Sequence, residues 1–334
     1  MKHLLGLDIG GTKCAVVLGR TQDDRGEGAP GLQILGKTAF ATPARAPDAT
    51  LDQLVQSCGA LVQAHGLTLA DVAGVGVSCG GPLDSRRGLI LSPPNLIGWD
   101  AVPIVAILTE RLGCPTALQN DANACAVAEW KYGAGRGLQN LVFLTFGTGL
   151  GAGLILNGQL YSGTNDMAGE VGHIRLETTG PVGYGKAGSC EGFCSGGGIA
   201  QLGATMVLEK LQLGEKVAFC ASREELATLD AKTIGEFADA GDPLALAIYR
   251  RSGEYLGRGL AILMDILNPQ AIVIGSIFAR RTALLWEAAA AVIEREALGL
   301  ARQVCNVVPA ALDEQIGDYA ALAVAAYGLE KEHA

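Results

Sequence analysis

Two carboxylates follow predicted strands, where a carboxylate could serve a phosphoryl-transfer reaction. Asp121 lies in Asn120-Asp121-Ala122-Asn123-Ala124, where a predicted strand gives way to a helix, and Asp8 lies where a strand runs into a glycine turn. A carboxylate held at a strand end can accept the proton of a hydroxyl as a phosphoryl group is transferred to its oxygen. The alternative for Asp121 is a plain helix N-cap, a position that favours Asp and Asn.

Two glycine turns could bind phosphate groups. The first is Asp8-Ile9-Gly10-Gly11-Thr12-Lys13, and the second is Gly147-Thr148-Gly149-Leu150-Gly151-Ala152. Glycines let backbone N–H groups approach a phosphate closely, and Asp8 could reach a Mg²⁺ ion, directly or through water. A tight hairpin without a ligand is the alternative for either turn. The two turns together favour a nucleotide site, because each could hold one end of a triphosphate.

The glycine turns also bear on two competing enzyme classes. The first turn lacks the Lys-Ser/Thr pair of a P-loop kinase. The second matches the dinucleotide fingerprint of NAD-dependent oxidoreductases, which requires a helix to open at once. Residues 151–160 instead predict a strand and a turn, because their glycines would weaken a helix. A strand after Gly151 would therefore exclude the oxidoreductase.

Polar residues that suit a sugar follow in a glycine-rich region. Glu170-Val171-Gly172-His173 and Glu191 supply two carboxylates and an imidazole. Each carboxylate oxygen can accept a hydrogen bond from a ring hydroxyl, and a mismatched sugar would leave a buried polar group unpaired. The alternative for these residues is an ordinary solvated loop.

The predicted elements that position these residues occur in a repeated order. Strand, glycine turn and strand are predicted at the start of the chain, with a third strand near residues 32–40, and again at residues 141–156, which suggests an internal duplication of topology and two facing lobes. Further strands are expected at residues 74–78, 116–119 and 271–274. Helices are expected at residues 48–65, 103–112, 122–132, 199–211, 231–240, 245–266, 282–297 and 317–331.

Composition limits the class of partner. The 334 residues are 49% hydrophobic and carry a net charge of −9, so a large core is expected and a nucleic-acid groove is not. No apolar window is long enough to span a membrane, and Asp8 stands too early for a signal peptide, so a cytoplasmic location is expected. The nine cysteines lie mostly in apolar runs and are expected to be free thiols.

Taken in order, the motifs resemble those of the ROK family of sugar kinases and repressors, within the actin-like, hexokinase-like superfamily. The likeness runs from about Leu4 to about Gly328. It rests on the following motifs: Leu7-Asp8-Ile9-Gly10-Gly11-Thr12-Lys13, Gly80-Gly81-Pro82, Asn95, Asn120-Asp121-Ala122-Asn123-Ala124, Thr145-Phe146-Gly147-Thr148-Gly149-Leu150-Gly151, Glu170-Val171-Gly172-His173 and Glu191.

The resemblance implies an α/β, two-lobed actin-like (ribonuclease H-like) ATPase fold with a central cleft. The small lobe would comprise residues 1–118 and 313–334, with a returning C-terminal helix, and the large lobe residues 119–312. Asp121 would be the catalytic base. The sugar would be held by Gly81, Asn95, Asn120, Asp121, Glu170, His173 and Glu191. The nucleotide would lie against Asp8, Gly10, Gly11, Thr12, Lys13, Thr145, Gly147, Thr148, Gly149 and Gly275.

The implied activity is phosphorylation of a free hexose by ATP with Mg²⁺, with glucose as the first candidate substrate. N-acetylmannosamine, N-acetylglucosamine, fructose and allose are alternatives, because the residues that hold ring hydroxyls are shared among them. The resemblance also implies a homodimer. The family's repressors are the non-catalytic alternative; they carry a DNA-binding module before the first glycine strand, and here that strand is predicted within the first few residues.

Two departures from the family pattern concern zinc and adenine. Many relatives bind zinc through three cysteines and the histidine of the Glu-x-Gly-His motif, but Val182, Tyr184 and Ser189 stand at the cysteine positions. No structural zinc is therefore expected, although Cys190 and Cys194 with His173 leave a rearranged site open. Near the adenine, Gly275 alone remains of a glycine run. An altered base contact or another phosphoryl donor stays open.

Overall fold

The computed structural model describes residues 1–22 and 31–332 and forms two compact units. Unit 1 comprises Met1–Gln139, Gly153–Ala168 and Ala311–Ala334. Unit 2 comprises Asn140–Ala152 and Gly169–Ala310.

The strands and helices of the described residues are as follows. The strands are β1 His3–Ile9, β2 Lys13–Gln22, β3 Gly31–Ala41, β4 Val72–Cys79, β5 Leu83–Asp84, β6 Leu89–Ile90, β7 Thr116–Asn120, β8 Leu141–Phe146, β9 Leu150–Leu156, β10 Gln159–Leu160, β11 Val182–Gly183, β12 Lys186–Ala187, β13 Ala271–Ile274 and β14 Asn306–Pro309. The α-helices are α1 Pro47–Ala64, α2 Ile104–Leu112, α3 Asp121–Tyr132, α4 Cys190–Phe193, α5 Gly196–Gln212, α6 Ala231–Asp239, α7 Pro243–Leu267, α8 Ile277–Arg280, α9 Thr282–Glu296, α10 Gly299–Val304 and α11 Ile316–Glu332.

The two five-stranded sheets share one strand order, which confirms the predicted duplication. The first sheet has the order β3-β2-β1-β4-β7, and the second has the order β10-β9-β8-β13-β14. When the strands of each sheet are counted in chain order, the first (β1 or β8) pairs in parallel with the fourth (β4 or β13), and the fourth with the fifth (β7 or β14). A glycine turn follows the first strand in both sheets, so the two turns occupy equivalent places in the topology.

Helix α11 packs directly on the first sheet because two glycines leave room for its backbone. A Cβ at Gly6 would lie 2.8 Å from the Leu322 nitrogen, and one at Gly76 would lie 2.1 Å from the Ala321 oxygen. Leu4 and Val17 pack with Leu322 in the core on this face. The sheet's apolar residues are thus buried by α11, and the sheet carries Asp8 at the end of β1.

Helix α3, which begins at Asp121, is part of the compact unit 1. The sequence division placed residues 119–139 and 153–168 in the second lobe, whereas the structure groups both segments with α11. Trp130 meets Tyr327 edge-on at 6.0 Å, and the Tyr327 hydroxyl accepts a hydrogen bond from the Leu160 N–H at 3.1 Å. These contacts join residues about 170 to 200 positions apart and leave no local signal.

Unit 2 contains β8, β13 and β14 of the second sheet and a group of helices dominated by the contact between α7 and α9. Helix α7 starts at Pro243, two residues before the predicted start, because the Asp242 carboxylate caps it by accepting from the backbone N–H groups of Leu244 and Ala245. It ends at Asn268, which has the left-handed φ of +44° common at helix ends.

Most predicted long elements are confirmed, and the missed ones are short. The strand after Gly151 is present as β9, which excludes the dinucleotide fingerprint and with it the oxidoreductase. The predictions omitted α8, α10 and β14, each of four to six residues, because such short segments carry too little periodicity to be recognised.

Two further expectations concern membranes and thiols. Within the two described ranges, no helix has both the length and the apolar character to cross a bilayer. All nine cysteines are free, and seven of them are buried. Burial raises the pKa of the Cys58 thiol to about 12, so this side chain stays a neutral part of the core.

Candidate active site

The first glycine turn joins β1 to β2 and is tied down by Thr42. The Gly10 N–H donates to the Lys13 carbonyl at 3.1 Å, and the Thr42 hydroxyl donates to the Gly10 carbonyl at 2.6 Å. The Thr42 N–H donates to the Thr12 carbonyl at 3.0 Å. These bonds fix the backbone of the turn, as a phosphate site requires.

Asn95 lies against this turn, so a predicted sugar residue and a predicted phosphate turn meet in unit 1. A Cβ at Gly11 would lie 2.3 Å from the Asn95 carbonyl oxygen and 2.7 Å from the Asn95 Cβ. A Cβ at Gly80 would lie 3.9 Å from the Asn95 Nδ2. Gly11 is therefore required for the close approach of the segment that carries Asn95.

Replacing Gly11→Ala tests this contact. The added methyl group overlaps backbone, so the Asn95 segment must move, and we expect KM for both substrates to rise about tenfold or more, with about 2 kcal/mol lost in stability. Steady-state kinetics and urea unfolding measure the two effects. Gly59→Ala is the matched control, because a Cβ there meets nothing within 4 Å. Unchanged kinetics in Gly11→Ala would contradict the prediction that this turn and the Asn95 segment bind the substrates.

Asp121 is the first residue of α3, and Asn120 rather than Asp121 is its N-cap. The Asn120 Oδ1 accepts from the Asn123 N–H at 2.7 Å, and the Asp121 Oδ1 accepts from the Ala122 N–H at 2.8 Å. One carbonyl oxygen of a predicted sugar residue is thus used for capping. Asp121 is therefore not the N-cap, and its side chain is accessible to solvent.

The two carboxyls predicted for chemistry hold protons more tightly than ordinary aspartates. Removal from water, with the nearby charges of Asp121 and Asp318, raises the pKa of Asp8 to about 6, although Lys37 and Lys13 oppose the rise. Crowding by protein atoms likewise raises the pKa of Asp121, and the Ala122 N–H partly offsets this. Raised pKa values from burial and like charges are typical of functional carboxylates.

An excess of negative charge around Asp8 suits a cation carried by a nucleotide. Asp318 is already paired with Lys37 at 2.6 Å, and Asp121 adds a second carboxylate to the field at Asp8. Carboxylate oxygen is the ligand that Mg²⁺ prefers, and Mg²⁺ is usually bound through one or two carboxylates and substrate phosphates. The residues present therefore fit Mg²⁺ delivered with ATP.

In unit 2, the second glycine turn is closed by its own backbone and by Glu191. The Gly147 N–H donates to the Gly149 carbonyl at 3.1 Å, and the Glu191 carboxylate accepts from the Leu150 N–H at 3.0 Å. The Thr145 hydroxyl accepts from the Gly151 N–H at 2.9 Å, so this predicted phosphate residue also shapes the turn.

Glu170, His173 and Glu191 form one group beside this turn. A Cβ at Gly172 would lie 2.3 Å from the Leu150 carbonyl and 3.2 Å from the Glu191 Cβ, so the segment from Glu170 to His173 packs closely on both. The structure thus divides the sequence-predicted residues into two sets. Unit 1 carries Asp8, Gly10, Gly11, Thr12, Lys13, Gly81, Asn95, Asn120 and Asp121, and unit 2 carries Thr145, Gly147, Thr148, Gly149, Glu170, His173, Glu191 and Gly275.

A cavity of about 660 Å³ in unit 2 continues from the second glycine turn. Its apolar walls suit a flat aromatic base, and its cationic side chains suit polar or anionic groups. The lining residues are Gly147, Thr148, Gly196, Gly197, Ala200, Asp230, Ala231, Lys232, Tyr249, Ile277, Arg280 and Arg281. A cavity of this kind beside the predicted phosphate turn has the size and chemistry for the nucleoside part of a nucleotide.

Most of these lining residues were missed by the sequence analysis. Ser195 and Asp230 are N-caps and signal the starts of α5 and α6, which bring Gly196 and Lys232 into place, but no local pattern shows that these helix ends converge. Gly275, which was predicted to contact the nucleotide, is not among the lining residues, and its N–H donates to the Leu144 carbonyl at 3.0 Å. Ser276 follows with a φ of +56°, a conformation that favours glycine.

The region of the missing zinc motif is held by hydrogen bonds. The Ser189 hydroxyl accepts from the Gly192 N–H at 3.1 Å and so caps α4. Cys190 and Cys194 are buried, and the Cys194 thiol donates to the Ser252 carbonyl at 3.7 Å. In the described part of the chain, no three or more His, Cys, Asp or Glu side chains are placed to hold a metal ion. The absence of zinc stays a prediction.

Comparison with known proteins shows that this chain matches a family model and is similar to several named enzymes. The family model described as "ROK family" matches residues 4–327. A glucokinase from Halalkalibacterium halodurans is 31% identical over 274 residues, which cover 81% of this chain and 79% of the relative. An N-acetylmannosamine kinase from Shigella flexneri is 35% identical over 274 residues, with coverage of 81% and 82%.

Among solved structures, a ROK family glucokinase from Streptomyces griseus in complex with glucose and AMPPNP matches with a TM-score of 0.73. It is 29% identical, and the match covers 97% of this chain and 99% of that one. The match therefore runs over almost the full length of both chains.

Proposed function

Because the chain belongs to the ROK family, we propose that it is an ATP-dependent sugar kinase that transfers the γ-phosphoryl group of ATP to a free hexose. Glucose is the first candidate acceptor, with glucose 6-phosphate as the product. The observation that carries the proposal is the crowded, solvent-accessible Asp121 at the start of α3, in the same unit as a phosphate turn that Asn95 contacts.

Asp121 would act as the general base. Its carboxylate would accept the proton of the attacking hydroxyl as the new oxygen–phosphorus bond forms and the bond to ADP breaks. Asn95, Glu170, His173 and Glu191 would fix the other hydroxyls, and Gly81 and Asn120 would lie beside the sugar. This geometry selects one hydroxyl, since a misplaced ring would leave polar groups unpaired.

The nucleotide would be bound through backbone groups and the unit 2 cavity. The turns at residues 10–13 and 147–149 would donate N–H groups to the phosphates, and the cavity would take the adenosine. Mg²⁺ would neutralise phosphate charge when bound, with Asp8 as its protein carboxylate. We also propose a cytoplasmic location and a homodimer, both on the family resemblance.

Substrate choice is the finer part of the proposal. Relatives named glucokinase and N-acetylmannosamine kinase match at similar identity and coverage, so identity does not separate these acceptors. An N-acetylhexosamine kinase and a fructokinase are the alternatives within kinases, and a non-catalytic sugar sensor is the alternative outside them. An ADP-release assay with Mg-ATP and a panel of free hexoses and N-acetylhexosamines tests all of these. Sugar-dependent release is expected, whereas release from no sugar by the folded protein would contradict the kinase.

The raised pKa of Asp121 predicts a pH dependence. Below its pKa the carboxyl is protonated and cannot accept the hydroxyl proton, so kcat/KM should fall as the pH is lowered. Because crowding by protein atoms raises the pKa of Asp121, the fall should be centred above pH 3.8, the ordinary value for an aspartate. A profile of kcat/KM for the sugar from pH 4 to 9 checks this. A value that stays flat down to pH 4 would contradict the prediction.

A further inference from the structure

A two-residue turn in unit 2 contains a tyrosine where the backbone favours another residue. β11 and β12 pair through Val182 with Ala187 and Gly183 with Lys186, so Tyr184 and Gly185 form the turn. Their φ angles are +43° and +75°. Such turns favour Asn, Asp or Gly at the first position, because other side chains meet the backbone at positive φ.

The same chain shows the usual solution elsewhere. The turn between β9 and β10 consists of Asn157 and Gly158, with φ angles of +53° and +70°. Tyr184 is 72% exposed, so burial of its ring does not offset the strain of its backbone. A strained, exposed residue that the surroundings hold in place indicates a function.

The hairpin is held on both sides by side chains. Gln201 of α5 accepts from the Val182 N–H and donates to the Val182 carbonyl, both at 2.9 Å. The Lys186 ammonium donates to the His173 carbonyl at 2.6 Å. The turn is therefore fixed to α5 and to the segment that carries a proposed sugar residue.

The hairpin also contacts the side chains of the sugar group. The Tyr184 ring meets the His173 imidazole edge-on, with centroids 5.5 Å apart and an angle of 81° between the planes. At the end of β11, directly before Tyr184, a Cβ at Gly183 would lie 2.8 Å from the Glu191 Cβ. One hairpin thus touches both His173 and Glu191.

We propose that Tyr184 is a sugar-binding residue that contacts the acceptor and holds the His173 imidazole in place. The proposal rests on the proposed function, since it assigns a residue to the sugar site of that kinase. A hexose ring has an apolar C–H surface edged by hydroxyls, and tyrosine offers an aromatic face with a phenolic O–H. The exposed ring would lose water only when the sugar is bound.

Tyr184→Asn separates binding from folding, because it creates the favoured Asn-Gly turn. The variant should be more stable than the wild type, with Tm raised by about 2 °C. Its KM and Kd for the sugar should nevertheless rise about tenfold, which corresponds to about 1.4 kcal/mol, while KM for ATP stays unchanged. Tyr184→Phe, which keeps the ring, should recover most of the sugar affinity.

Asn157→Tyr is the matched control. It places tyrosine in the other Asn-Gly turn, so it should lower Tm and leave the sugar KM unchanged. A sugar effect in both variants would show that a change of residue in either turn is enough to disturb binding, and would overturn the assignment of Tyr184.

Calorimetric titration of sugar into the wild type and each variant, together with kinetics, tests the sugar-kinase proposal and the role of Tyr184 separately. If the wild type neither binds nor phosphorylates any sugar of the panel, the proposed function fails and this inference fails with it. If the wild type does both and Tyr184→Asn retains wild-type sugar Kd and KM, the kinase stands and only the role of Tyr184 is overturned. A tenfold loss confined to the sugar supports the role.

Discussion

Asp121→Asn should lower kcat about 10³-fold while the sugar still binds. The substitution keeps the shape of the side chain and the acceptor oxygen for the Ala122 N–H, but it removes the carboxylate that accepts the hydroxyl proton. The loss should appear in kcat, because the base acts mainly in the transition state. Steady-state kinetics measures the turnover, and calorimetric titration with the sugar measures binding.

Asp48→Asn is the control for this prediction. Asp48 also lies in the first turn of a helix in unit 1, α1, so it shares the favourable contact with a helix N-terminus. If Asp121 served only that purpose, both variants would show the same small effect. Turnover in Asp121→Asn within about threefold of the wild type would remove Asp121 from the role of base.

Glu129→Gln should destabilise the protein by about 3 kcal/mol, because it disrupts a buried carboxylate that holds three backbone groups. Glu129 has no exposed surface. Its Oε2 accepts from the N–H groups of Ala134 at 2.8 Å and Ala311 at 3.2 Å, and its Oε1 accepts from Leu312 at 2.8 Å. Glutamine would place its amide NH₂, a hydrogen-bond donor, against at least one of these backbone N–H donors.

Urea unfolding followed by tryptophan fluorescence measures this loss, with Trp130 as a neighbouring reporter. Glu110→Gln, an exposed position on α2, is the control and should change stability by less than about 0.5 kcal/mol. A loss below about 1 kcal/mol in Glu129→Gln would show that water or a shifted backbone satisfies the three N–H groups. It would also show that the hydrogen bonds from Ala311 and Leu312 to Glu129 of α3 are not needed for stability.

The sequence predicted the elements whose signals are local. The strand after Gly151 was predicted from glycines that would weaken a helix. The repeated strand, turn and strand predicted a duplication of topology, which the shared strand order of the two sheets bears out. Helix α3 was predicted at residues 122–132 from its capping residues, and it starts one residue earlier, at Asp121, because the cap is Asn120.

What the sequence did not predict depends on contacts between distant residues. The grouping of α3 with α11 depends on the contact of Trp130 with Tyr327, and the unit 2 cavity forms where the ends of α5 and α6 meet Ile277. The strain at Tyr184 is a property of backbone angles, and a Tyr-Gly pair in a loop gives no sign of it. These features needed coordinates, whereas the residues proposed for chemistry were chosen by residue type, spacing and family resemblance.

Identification of the product tests the central claim most directly. The wild-type protein would be incubated with Mg-ATP and glucose, or with the panel sugar that releases most ADP, and followed by ³¹P NMR. We expect the γ-phosphate signal of ATP to be replaced by that of a sugar phosphomonoester, and for glucose this signal should couple to the two protons on carbon 6. Formation of inorganic phosphate alone, or no change with any sugar, would contradict the assignment of this protein as a sugar kinase.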